Sequence, residues 1–253
     1  QRTYAVAVAQ KMLESMGKLP ADAMHAVYPV QIGVRILNNP VNGYSPFMLS
    51  GLMLNGFQIG LMLTAAPVLV TECIRRRYGK DYASWLILLA KFVPYWAAGL
   101  LAYIISLALA VYGFDVPMRG SWLDAVLLGG SFDFFVLGVM QVFSACSPGR
   151  VLSLQAPMLY IMPGLLYSGL SWPSFDMNGI ASAISLFMPM TYAGDNLRDI
   201  LLAGYAPALW HDCGCMVAGG LISILLGLGV FSLRRHWGQK GGDGREHSAD
   251  PAA

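Results

Sequence analysis

Leu100-Leu101-Ala102-Tyr103-Ile104-Ile105-Ser106-Leu107-Ala108-Leu109-Ala110 is an unbroken apolar run. A strand of a membrane barrel would alternate polar and apolar residues along its length. In hydrocarbon every backbone N–H and C=O must find its partner inside the protein, so only helices or closed barrels cross. A continuous run therefore predicts a membrane-spanning helix. It sits within a longer apolar segment, 84–112, and four others accompany it: 46–71, 121–146, 151–171 and 210–233. Each has about 20 residues or more, enough to cross a core of about 30 Å at about 1.5 Å per residue. The expected fold is an all-α polytopic membrane protein with five transmembrane helices in this chain.

Composition agrees. Hydrophobic residues make up 56% of the 253 and charged residues 12%, the latter about half the globular norm of about 25%. Cys73, Cys146, Cys213 and Cys215 have no disulfide-framework spacing. Cys73 and Cys146 fall near expected cytoplasmic ends, where thiols stay reduced. The net charge of +2 is small, and no nucleic-acid partner is expected.

Lys and Arg gather in short cytoplasmic loops. Arg75, Arg76, Arg77, Lys80 and Lys91 follow the first span, Arg150 follows the third, and Arg234, Arg235, Lys240 and Arg245 follow the fifth. The opposite gaps hold only Arg119 and Arg198. This asymmetry puts the C-terminus in the cytoplasm. With five spans, residues 1–45 then lie outside. They have the marks of a folded outer domain of α/β type: helical spacing over 4–16, strand-like alternation over 30–36, and turn signals at Asn38-Asn39-Pro40 and Asn42-Gly43. The expected division is an outer-domain remnant at 1–45, a transmembrane domain at 46–233 and a disordered cytoplasmic tail at 234–253. The odd span count and the start at Gln1 suggest that a sixth span precedes this segment in the complete protein.

Polar residues within apolar spans are candidate functional groups. Asn55 and Gln58, three apart, share a helix face among Gly51, Gly56 and Gly60. They fit either interhelical hydrogen bonding or a substrate path. Asp133 lies mid-span between Phe132 and Phe134, as a coupling group or as a structural aspartate facing the bundle. Residues 172–209 hold two helical stretches too short to span, expected as interfacial or re-entrant helices on the outer face. Pro189, Tyr192, Asp195 and Arg198 belong to this region, and Asp195, Arg198 and Asp199 have pairing spacing. His211, Asp212, Cys213 and Cys215 do not complete a metal site, because the cysteines two apart do not share a helix face. No metal or cofactor is expected. The sequence contains no phosphate loop, H-E-x-x-H or G-x-S-x-G motif.

Several stretches taken together resemble the ABC type-2 exporter permeases. Ser168-Gly169, Pro173, Pro189-Met190-Thr191-Tyr192, Arg198 and Gly204 resemble the family signature before the last span. Val34-Arg35-Ile36-Leu37-Asn38-Asn39-Pro40 resembles the exit from the outer domain in the branch with a large periplasmic insert. Ala90-Lys91-Phe92-Val93-Pro94-Tyr95 resembles its Gly-Lys-x-x-Pro-Tyr stretch, and the loop from Glu72 its cytoplasmic coupling region, although the usual Glu-Arg-Glu…Gly-Thr run is absent. The resemblance implies a permease of six spans in a bacterial inner membrane and a second permease chain completing a dimer. It also implies a separate cytoplasmic ATP-binding subunit, and it is compatible with a periplasmic adaptor. Coupling to the ATPase would then fall to Glu72, Arg75, Arg76 and Arg77, and the translocation path to Asn55, Gln58 and Asp133. The rival expectation is an ion-coupled transporter or membrane-embedded enzyme working through Asp133.

Overall fold

The computed structural model describes residues 11–12, 15–16, 44–75, 82–169 and 177–246. The chain divides into two compact units, Gln1–Leu37 and Asn38–Ala253. In the first, Lys11, Met12 and Ser15 are helical; the strand expected at 30–36 lies outside the described residues.

The second unit contains α1 (Tyr44–Ala65), α2 (Pro67–Arg75), α3 (Ser84–Gly113), α4 (Trp122–Cys146), α5 (Arg150–Tyr167), α6 (Gly179–Ser185), α7 (Pro189–Arg198), a π-helical turn (Asp199–Ala203) and α8 (Leu209–Glu246). No strand occurs among the described residues. Four segments are long and apolar enough to cross a membrane: Met48–Cys73, Ser84–Gly113, Trp122–Cys146 and Leu209–His236. They coincide with four of the five expected spans. The remaining one forms α5, an 18-residue helix interrupted by Pro157 and Pro163 and less apolar than the others. Helix α8 continues to Glu246, past the boundary expected at 233.

Helix α4 is the hub. In its apolar window 56% of residues are buried, against 22% in both α3 and α8. Ser121 caps its start, accepting from the Leu123 N–H at 3.2 Å. Pro148 ends it by forcing Ser147 into extended backbone. On α3 the buried residues Gly99, Tyr103, Leu107 and Ala110 form one stripe. Leu101, Ile105, Leu109 and Tyr112 form the opposite exposed one. The spacing is helical on both faces, but the outward face is as apolar as the inward one, as hydrocarbon surroundings require.

Glycines set how closely the helices approach. A Cβ on Gly138 of α4 would lie 2.7 Å from the Gly220 carbonyl of α8, and Phe134 and Phe135 occupy the space over Gly220 and Gly219. Between α3 and α4 the notches are reciprocal. The Tyr103 ring fills the place of a side chain at Gly129, and the Asp133 carboxylate fills that at Gly99. The glycines are four residues from the groups lodged on the partner helix, so both notches lie along one seam.

Candidate functional site

The first span is broken at Ala66–Pro67 because proline lacks an N–H and its ring clashes with the preceding turn. The N–H groups of Leu69 and Val70 donate instead to the Ser144 hydroxyl of α4, at 3.0 and 3.1 Å. Helix α2 then descends to Glu72, whose side chain is 8% exposed and pairs with Lys91 of α3 at 2.9 Å. Arg75 closes α2, while Arg76 and Arg77 lie outside the described residues. Of the four residues expected to couple, Glu72 is thus engaged within the chain. Two arginines from α8 tie the same end together. Arg234 donates to the carbonyls of Ala145 and Ser147 at 2.5 and 2.6 Å. Arg235 donates to the Tyr82 carbonyl at 2.6 Å, next to the start of α3.

Asn55, Gln58 and Asp133 are not joined into one polar site. Gln58 is buried and Asn55 half-buried, with the Asn55 Oδ1 lacking a hydrogen-bond partner among the described residues. Asp133 is fully buried, and neither carboxylate oxygen has a partner there either. It faces the α3 backbone at Gly99. Phe57 of α1 meets Tyr103 edge-on at 5.6 Å and Phe132 at 6.2 Å, so aromatic packing joins α1 to the seam.

The region expected on the outer face is built around the turn between α6 and α7. Pro189 opens α7 at its first position, where no N–H is needed. Three hydroxyls then satisfy three successive carbonyls at the end of α6. Thr191 donates to Ser185 at 2.8 Å, Tyr192 to Leu186 at 2.9 Å, and Tyr160 of α5 to Phe187 at 2.6 Å. Leu186 and Phe187 meanwhile turn their side chains outward. A helix end sealed this way can face a medium that offers no hydrogen bonds. Arg198 pairs with Asp195 at 3.3 Å, at the spacing expected. Burial, and next the charge of Asp195, push the Asp199 carboxyl up, against the lowering effect of Arg198.

After Arg198 the helix widens into a π-turn, and Gly204, at φ 95°, bonds back to the Asp199 carbonyl at 2.8 Å. The Ile200 and Leu201 carbonyls accept from Gly120 and Arg119 of the loop before α4, at 2.9 and 3.2 Å. The loop thereby clamps the turn. Asn196 donates to Asp212 at 2.6 Å and fastens α7 to α8. His211 lies 3.0 Å from the same aspartate. Among the described residues no group of three metal-ligating side chains converges.

Sequence reasoning did not single out Ser144, Tyr160, Arg234 or Arg235 as contacts. Tyr160 lies 27 residues from its acceptor and Ser144 lies 75 and 74 residues from its donors. No local pattern connects them. Arg234 and Arg235 were legible only as topology charges.

Residues 2–228 match the family described as ABC-2 family transporter protein. ABC transporter G family member 20 of Dictyostelium discoideum is 25% identical over 173 residues, covering 67% of this chain and 24% of that protein. The probable multidrug ABC transporter permease YbhS of Escherichia coli K12 is 26% identical over 124 residues, covering 49% of this chain and 33% of that protein. The chain therefore spans a third or less of the length of these curated relatives. No solved structure matches it.

Proposed function

The chain belongs to the ABC-2 family of transporter proteins, and on that premise we propose that it is the membrane-spanning part of an ATP-driven exporter. The observation that carries this is the family match across nearly the whole apolar helical bundle. ATP is bound and hydrolysed by a cytoplasmic subunit on a separate chain. That subunit docks on the loop 72–82 through Arg75, Arg76 and Arg77. Glu72 holds the loop's base through Lys91.

The complete permease has six spans, five of them here with α5 as the fourth, and an outer domain of α/β type. It pairs with a second permease chain in a bacterial inner membrane, its C-terminus cytoplasmic, with a periplasmic adaptor as a further partner. Closure of the ATPase pair rocks the bundle between two states that differ in affinity for the cargo. The sealed turn between α6 and α7 forms the outer gate. Asn55 and Gln58 border the path.

The experiment is co-purification of the full-length protein with the candidate ATPase, then ATP hydrolysis in vesicles for the wild type and a Glu72→Ala, Arg76→Ala variant. Capture by the wild type and uncoupling in the variant support the proposal. Failure of the wild type to capture any ATPase refutes it. A second reading, ion-coupled transport through Asp133, is favoured by its buried carboxylate, which has no hydrogen-bond partner among the described residues. It requires Asp133→Asn to abolish transport, whereas the exporter does not.

A further inference from the structure

A helix that begins at Pro67 leaves its first N–H groups without partners. Two of them, on Leu69 and Val70, converge on the single Ser144 oxygen. Both acceptor positions of that hydroxyl are therefore used. Ser144 is fully buried on α4, the most enclosed helix.

Beside the break lies a cavity of about 20 Å³, room for about one water. Ala65, Val68 and Leu69 line one side, and Lys91, Tyr95 and Gln141 line the other. Gln141 is 8% exposed, and its Oε1 has no partner among the described residues. Further along α2, Glu72 is held by Lys91. The segment is thus oriented by a hydroxyl at its head and an ion pair at its foot, with free volume beside the joint.

The two N–H donors have alternative acceptors. If the span straightened, Leu69 and Val70 would bond to the carbonyls of Ala65 and Ala66, four residues back. The Pro67 ring disfavours that form, and in the bent form Ser144 supplies the acceptor that the two N–H groups then need.

We infer that α2 is a hinged lever pivoting at Ala66–Pro67, and that Ser144 is the positioning residue that sets its angle. The angle fixes how the loop 72–82 meets the ATP-binding subunit, so the coupling half of this inference rests on the function proposed above. Exchange of two hydrogen bonds between Ser144 and the carbonyls of α1 gives the joint two discrete states.

The test uses the full-length protein in lipid nanodiscs, with Ser144→Ala, Ser144→Thr, Pro67→Ala and the Ser144→Ala, Pro67→Ala double variant. Hydrogen exchange of the 66–75 segment needs no partner. It accelerates about tenfold in Ser144→Ala, the equivalent of about 1.4 kcal/mol, because two buried donors are stranded. In the double variant the helix closes its own ladder, and exchange returns to within about twofold of Pro67→Ala.

With the ATPase present, Ser144→Ala still captures it but loses about fivefold or more of the ATP hydrolysis that the wild-type chain stimulates in the ATPase, and Ser144→Thr keeps most of it. Unchanged exchange in Ser144→Ala overturns the pivot. Faster exchange with unchanged stimulation overturns the coupling role. Failure of the double variant to recover overturns the hydrogen-bond exchange and leaves general damage as the cause. If the wild type captures no ATPase, the exporter reading falls, and the exchange result alone decides whether the pivot stands.

Discussion

Gly129 and Gly130 are neighbours on α4, and the same substitution at each should have opposite effects. A methyl group on Gly130 would meet nothing nearer than 3.7 Å, at a Leu100 methyl. Alanine is a better helix former than glycine by about 1 kcal/mol, so Gly130→Ala is neutral or stabilising by up to that amount. A methyl on Gly129 would lie 2.1 and 2.3 Å from the Tyr103 ring carbons. Carbon atoms sit comfortably at about 3.5–4.0 Å, so ring or backbone must yield by roughly 1.4 Å. Tyr103 is fully enclosed, with Phe57 packed at 5.6 Å on its other side. Overpacking of this kind costs about 1–3 kcal/mol or more. A split of about 1–4 kcal/mol corresponds to roughly 2–16 °C in Tm for a domain of this size. Thermal unfolding of the two variants in the same nanodisc lipid, followed by tryptophan fluorescence, measures it. Tyr103→Leu combined with Gly129→Ala should recover at least half the loss. Equal Tm values, or a more stable Gly129→Ala, would refute the notch packing of α3 on α4.

Tyr192→Phe strands the Leu186 carbonyl and should lower stability by about 1–3 kcal/mol; an unchanged Tm would mean that water reaches the turn. Glu72→Ala leaves the partly exposed Lys91 facing a buried site, so it should harm stability more than the Glu72→Ala, Lys91→Met pair does. A double-mutant cycle with no coupling energy would show the ion pair to be inert. Asp133→Asn fits the Gly99 notch with the same shape and should retain ATP-driven transport, measured as vesicle uptake; complete loss would favour the ion-coupled rival. Because the folded state raises the Asp199 carboxyl, its contribution is fully present below the ordinary carboxylate range and is lost as pH rises through the raised value. Asp199→Asn should flatten that part of the stability–pH curve; an unaltered curve would remove Asp199 as its source.

Helix existence was legible because length and hydropathy alone decide which segments tolerate lipid. Ser84–Gly113 begins and Trp122–Cys146 ends where the sequence placed them. The break at Pro67 was written in the chain, yet 46–71 reads as one span, because hydropathy continues smoothly across a proline. What makes the break tolerable is a serine 75 residues away. That partnership has no periodicity to betray it. Asp133 was legible as a buried acid, but not the glycine notch that receives it, since the notch exists only once α3 and α4 are in register. Glu72 was expected, together with Arg75, Arg76 and Arg77, as a coupling-loop charge. Its capture by Lys91 depends on α2 and α3 running side by side, and spacing along the chain does not report that. Pro189, Thr191 and Tyr192 stood out as a pattern; the carbonyls that Thr191 and Tyr192 serve gave no signal of their own.

The seam between α4 and α8 has a consequence for biogenesis. The two helices meet through glycines that leave almost no gap, yet α8 is made well after α4. During synthesis α4 must therefore wait in the bilayer with Phe134, Phe135 and Gly138 facing lipid or the insertion machinery. The Ala145 and Ser147 carbonyls remain open until Arg234 arrives. A nascent chain halted before Gly219 holds an unfinished hub, with a buried-type acid at its centre and an unfilled flank. Membrane quality control would meet its most recognisable substrate at that stage, and release from it would coincide with the docking of α8.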